Sequence, residues 1–108
     1  MSTPRYGDTP YRRRTASRRK WAAITREKTG PCRVCGSEQN GRVESRIHLH
    51  MLVSRARGGD DVADNVVPLC RTCYELVMIR DEATLVRLSV KLTKAELAYV
   101  RSKSPRVP

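Results

Sequence analysis

Four cysteines fall into two Cys-x-x-Cys pairs, Cys32/Cys35 and Cys70/Cys73. Zinc favours four soft or borderline donors in a tetrahedron, and two such turns supply them from two chain segments. Four thiolates leave no coordination position open, so the expected ion is structural rather than catalytic. Residues 36–69 separate the pairs, a longer gap than in a simple zinc ribbon, so a substantial segment is looped out between the knuckles. That segment holds the chain's two histidines, His48 and His50, spaced to share one face of a strand.

The elements around these residues follow from periodicity and capping. A helix is expected behind Thr15 or Ser17, with Trp21 and Ile24 on one face and Gly30-Pro31 as its stop. Trp21 reads as a core anchor. Gly36 closes the first knuckle turn. Within Val43–Met51 the residues Ile47, Leu49 and Met51 alternate with Arg46, His48 and His50, as in a strand. Gly58-Gly59-Asp60-Asp61 marks a loop, the two aspartates reading as turn and cap residues, and Val66–Leu69 makes a second short strand. The second knuckle opens a helix. From Asp81 two patterns compete. Val86, Leu88, Val90 and Leu92 alternate as in a strand, while Leu85, Leu88 and Leu92 share a helical face, and Asp81 as a cap tips the reading to helix. Thr93-Lys94-Ala95-Glu96 is a capping box for a last helix. The fold class is α+β: a small zinc-stapled core with flanking helices. Residues 1–14 read as a disordered basic arm, 15–80 as the zinc-binding domain and 81–108 as a helical extension with a basic tail.

The whole chain has 108 residues, 39% of them hydrophobic and none of them Phe. The core must therefore be thin, and a metal staple matters to its stability. A net charge of +11 favours a polyanionic partner, nucleic acid before an anionic membrane surface. Residues 1–30 carry nine Lys and Arg against Asp8 and Glu27, and Arg101, Lys103 and Arg106 have no acid among the last eight residues. Charge at chain ends suits contact with a phosphate backbone. No run approaches the ~20 apolar residues that a membrane span needs. The basic N-terminus has no apolar segment behind it, so a cytoplasmic protein is expected. In a reducing compartment paired Cys-x-x-Cys turns point to metal rather than disulfides.

The run from His48 to Tyr74, HLHMLVSRARGGDDVADNVVPLCRTCY, resembles the core of HNH endonucleases, the ββα-metal nucleases. That family's pattern is two adjacent His (or Asp-His), a basic loop ending Gly-Gly, an Asn, and Leu-Cys-x-x-Cys-His. Gly58-Gly59-Asp60-Asp61, Asp64-Asn65, Pro68-Leu69-Cys70 and Cys73 fall in one register, and small phage and bacterial members have similar zinc knuckles. The resemblance spans about residues 17–80, and more weakly Leu92–Tyr99. It implies a ββα-metal fold with a divalent ion (Mg²⁺, Mn²⁺ or Ni²⁺) held by the first and last family positions. It also implies a general-base His that the Asn orients, and a bacterial host or phage-infected cell as the setting.

Counted back from Gly58, the family register puts His50 at the first metal-ligand position and Met51 at the general base. Tyr74 stands where the last His belongs, and Asn65 matches the Asn. A thioether takes no proton at neutral pH and does not suit hard Mg²⁺, and a phenol is a poor ligand at pH 7. Three readings follow. One is a nucleic-acid-binding HNH-type protein with impaired hydrolysis, whether the two residues are natural or introduced. Another is an active nuclease shifted by one residue, with His48 as ligand, His50 as base and Asp60, Asp61 or Asp64 completing the site. The last is a protein-binding accessory, for instance beside a phage terminase. Nucleic acid, DNA above all, would meet Arg12, Arg13, Arg14, Arg18, Arg19, Lys20, Arg55, Arg57 and Arg71.

Overall fold

The computed structural model describes residues 14–103. Residues 1–13 of the expected arm, Arg12 and Arg13 among them, and Arg106 lie outside them. Helix α1 (Arg18–Lys28) starts at Ser17, whose Oγ accepts from the Lys20 amide at 3.3 Å. Its last turn holds Arg26 and Lys28, suited to the negative end of the helix dipole. The first knuckle follows, then a 3₁₀ turn at Val43–Ser45. Strand β1 (Ile47–Met51) pairs antiparallel with β2 (Val66–Cys70), from Ile47 opposite Cys70 to Met51 opposite Val66. β1 therefore begins only at Ile47, because the turn before it breaks the alternation. Helix α2 (Arg71–Met78) leads to α3 (Glu82–Ser89) and α4 (Lys94–Lys103).

β2 is buried at every position, whereas β1 is half-buried throughout. Proline within a strand is tolerated at a sheet edge. The Pro68 carbonyl still finds a partner, because the Arg33 amide of the first knuckle donates to it at 2.8 Å. The knuckle is thus laid against β2. The core comprises Cys32, Val34, Val67, Leu69, Cys70, Cys73, Val77 and Leu88, with Ile47, Leu52, Tyr74, Leu85 and Leu92 packed around it. Three of the eight buried members are cysteines. The metal site and the hydrophobic core are one object.

The long connection between the strands is held by Asn65. Its side-chain oxygen accepts from the Val53 amide at 2.7 Å, and its Nδ2 donates to the carbonyls of Val53 (2.9 Å) and Asp60 (3.0 Å). The two glycines answer different demands. Gly58 lies at φ 87°, where side chains are strained. Gly59 packs so closely that a Cβ would stand 1.8 Å from the Val53 carbonyl oxygen. Any side chain there displaces the loop.

Asp81 caps α3 through the Thr84 amide, and Thr93 with Glu96 forms the expected capping box on α4, with amide contacts of 2.8 and 3.1 Å. Glu96 does more than cap. It is fully buried, and its carboxylate receives both Arg33 from the first knuckle and Lys28 from α1. Burial pushes its carboxyl up, but Arg33, Lys28 and the Thr93 amide outweigh that and hold it at about 2. One carboxylate therefore joins α1, the metal knuckle and α4. Removing one member of a buried ionic cluster strands the others, at a cost of about 3 kcal/mol. Glu96→Gln should lower stability by about that much near neutral pH in urea unfolding. The folded value lies below the ordinary 4.5, so the contribution is full above about pH 4.5 and fades toward pH 2. The gap between parent and variant should close over that window.

Candidate metal centre and the histidine face beside it

The four cysteine sulfurs lie within 4.8 Å of one another, three of the residues buried and Cys35 exposed. Cys35 and Cys70 Sγ are 3.8 Å apart. A ZnS₄ tetrahedron with bonds of about 2.3 Å has edges of about 3.8 Å, so the donor set fits zinc. Local structure explains the convergence. The Cys32 carbonyl accepts from the Gly36 amide and the Cys32 amide donates to the Ser37 carbonyl, which closes the first turn. At the second, Cys70 is the N-cap of α2 and its sulfur accepts from the Cys73 amide at 3.4 Å. Burial raises the Cys35 thiol, yet contacts from Ser37 and the neighbouring sulfurs bring it down to about 6. Burial and those same sulfurs push the Cys73 thiol up. Four ionised thiols this close repel unless a cation sits among them.

Beside this centre, β1 presents His48 and His50 to α2. The His48 ring stacks on Tyr74 with centroids 5.0 Å apart, and the His50 ring meets Tyr74 edge-on at 6.0 Å. Both imidazoles are half-buried rather than exposed. Burial lowers the His50 pKa, which favours the neutral ring. His48 Nε2 is buried with no hydrogen-bond partner among the described residues. Strand alternation puts Met51 on the face opposite His50. Asn65 spends its amide on the backbone of Val53 and Asp60, so any influence on an imidazole passes through the loop it holds. The β1 face against α2 thus gathers two imidazoles and a phenol.

Asp60 and Asp61, expected as turn and cap residues, are instead buried acids with remote partners, and the next turn is capped by Val62. Asp60 accepts from the Arg14 amide and from Tyr99 Oη at 2.8 Å, and Lys103 Nζ lies 3.0 Å away. The Tyr99 oxygen in turn accepts from the Asp60 amide at 2.6 Å. Burial raises the Asp60 carboxyl, but the contacts from Arg14, Lys103 and Tyr99 hold it at about 2. Burial, with the carboxylate at its side, pushes the Tyr99 phenol up to about 12. Asp61 accepts from the Ala16 amide at 3.0 Å and pairs with Arg55 at 3.4 Å. Neither aspartate is placed among metal donors. The sequence signal was two adjacent acids behind a double glycine in a strongly basic chain. Their partners are too remote along the chain to be read from it.

The basic residues divide into groups. Arg18, Arg19 and Lys20 are exposed on α1, and Arg57 is exposed in the loop. Arg14 has 68% of its side chain exposed although it lies 3.6 Å from Asp60. Arg55 sits 5.6 Å over the half-buried Trp21 ring. Arg71, at the knuckle end, pairs with Glu75 at 3.0 Å.

Because the ligands are also core, metal removal should unfold the chain. Structural zinc sites supply about 10 kcal/mol or more of apparent folding energy. Titration with a strong chelator, followed by circular dichroism, should show cooperative loss of helix that added Zn²⁺ reverses.

Residues 32–75 match the family model described as HNH endonuclease. No curated protein and no solved structure matches the chain. The matched segment runs from the first zinc-type cysteine through the β1–β2 hairpin and into α2. The chain thus carries, at residues 32–75, a match to the HNH endonuclease domain whose two ends bear the four clustered cysteines.

Proposed function

We propose that this chain is a DNA-directed, nucleic-acid-binding HNH protein whose hydrolytic capacity is impaired. The observation that carries the reading is the company of Tyr74. In the family register it occupies the last metal-binding His position, and it lies against His50, which occupies the first. That neighbourhood suits a shared ion, yet the phenol is a poor donor at pH 7. Met51, at the general-base position, offers a thioether that takes no proton. The donors therefore do not fit the family's hard divalent ion, and no hydrolytic step is assigned to it. Loss of a general base alone typically lowers a rate by about 10²–10⁴-fold.

A second reading has one observation in its favour. The buried, unpartnered His48 Nε2 lies on the same strand face as His50, where a shifted active site would need a donor. Asp60 and Asp61 are committed elsewhere, which leaves exposed Asp64 as the remaining carboxylate of that scheme. An accessory role beside a terminase or another protein has no particular residue in its support. It would predict partner capture without affinity for DNA.

The deciding experiment is plasmid cleavage with Mg²⁺, Mn²⁺ or Ni²⁺, comparing the unaltered chain with Met51→His plus Tyr74→His. Nicking that rises by about 100-fold or more in the double variant is the expected outcome. Cleavage by the unaltered chain that disappears in His50→Ala would favour the shifted site instead.

A further inference from the structure

Asp60 has a feature that core packing alone does not require: its partners come from both ends of the described chain. Arg14 donates its backbone amide to one carboxylate oxygen, while Tyr99 and Lys103 of α4 bind the other. The contact with the N-terminal side is extended by its neighbour. The Asp61 amide donates to the Arg14 carbonyl at 2.7 Å, and the Asp61 side chain accepts from the Ala16 amide at 3.0 Å. These bonds fix the path of residues 14–16 over the loop. The same loop bears Arg55 and Arg57, the first held by Asp61 and stacked over Trp21.

Three basic segments far apart in sequence are thereby brought to one end of the hairpin. This is the Met51–Val66 end, away from the Ile47–Cys70 end where the cysteines gather. The two aspartates at its centre are buried, and cations of the three segments already face them. Their negative charge is therefore largely hidden from a ligand, while the Arg14 and Arg57 side chains remain open to solvent. Exposed Asp64 on the same connection offsets one positive charge. The Arg71 side chain belongs to the other end and is engaged by Glu75.

We infer that the loop edge built around Asp60, with Arg14, Arg55, Arg57 and Lys103 converging on it, is a docking surface for the phosphate backbone of duplex DNA. This rests on the nucleic-acid-binding reading above and gives that reading a place. Asp60 acts as a positioning residue: it holds the cations in a fixed arrangement without itself meeting the ligand. Fixed cations suit the regular phosphate spacing of a duplex, and each phosphate contact releases condensed counterions.

The test is a salt titration of binding to a short DNA duplex, using the full chain with zinc present. Arg14→Gln plus Arg57→Gln removes two exposed charges from the edge. Arg42→Gln plus Arg46→Gln removes two exposed charges next to the Ile47 end of β1. The slope of log K against log salt should fall by about 2 in the first variant, at about 0.9 per phosphate contact. It should stay at the parent value in the second. Equal falls in both variants, or no fall in the first, would overturn the assigned edge and leave general DNA binding standing. Parent binding that ignores salt, or no binding, would overturn the nucleic-acid reading itself.

Discussion

Four cysteine sulfurs converge where the hairpin, the first knuckle and α2 meet, and three of these cysteines belong to the buried core. A two-stranded sheet and four short helices offer too little apolar surface to hold themselves together at this size. A metal ion held by the four sulfurs would change the balance, because it would join the first knuckle to the start of α2 and fix both sides of the hairpin at once. The hydrogen bond from the Arg33 amide to the Pro68 carbonyl and the Cys70 cap of α2 lie at the same junction.

Buried carboxylates extend that closure to the flanking helices. Glu96 connects α4 to α1 and to the knuckle, and Asp60 connects the far end of α4 to the inter-strand loop. Both remain ionised because cations and hydrogen-bond donors outweigh the penalty of burial. Such clusters add little net stability compared with apolar packing, but they tolerate few alternative arrangements. In a chain with so many positive charges, a buried acid with two or three cationic partners also decides where the remaining cations face.

Between β1 and α2 the loop and the strand histidines are held by separate sets of contacts. Asn65 and Gly59 keep the loop in shape through backbone contacts, which need no catalytic metal. The helix still brings the residue after Cys73 against the strand histidines. That residue is a tyrosine, whose ring packs on both imidazoles. Under the proposed function, the scaffold serves binding and the reaction centre is the part that has changed.

Elements governed by short-range rules were legible in the chain. Paired cysteine spacing, the Ser17 cap, the alternation through Ile47–Met51 and the Thr93–Glu96 box all depend on residues a few positions apart, and each appears as read. The family pattern from His48 to Tyr74 was legible for the same reason, as a fixed order of residue types, and residues 32–75 match that family's model. Only the tertiary structure decided what the acids do. Asp60 reaches Arg14 and Tyr99, and Glu96 reaches Lys28 and Arg33, across chain separations that no local pattern encodes. Burial turns an aspartate of a glycine-rich turn into an anchor, and burial is a property of the packed whole.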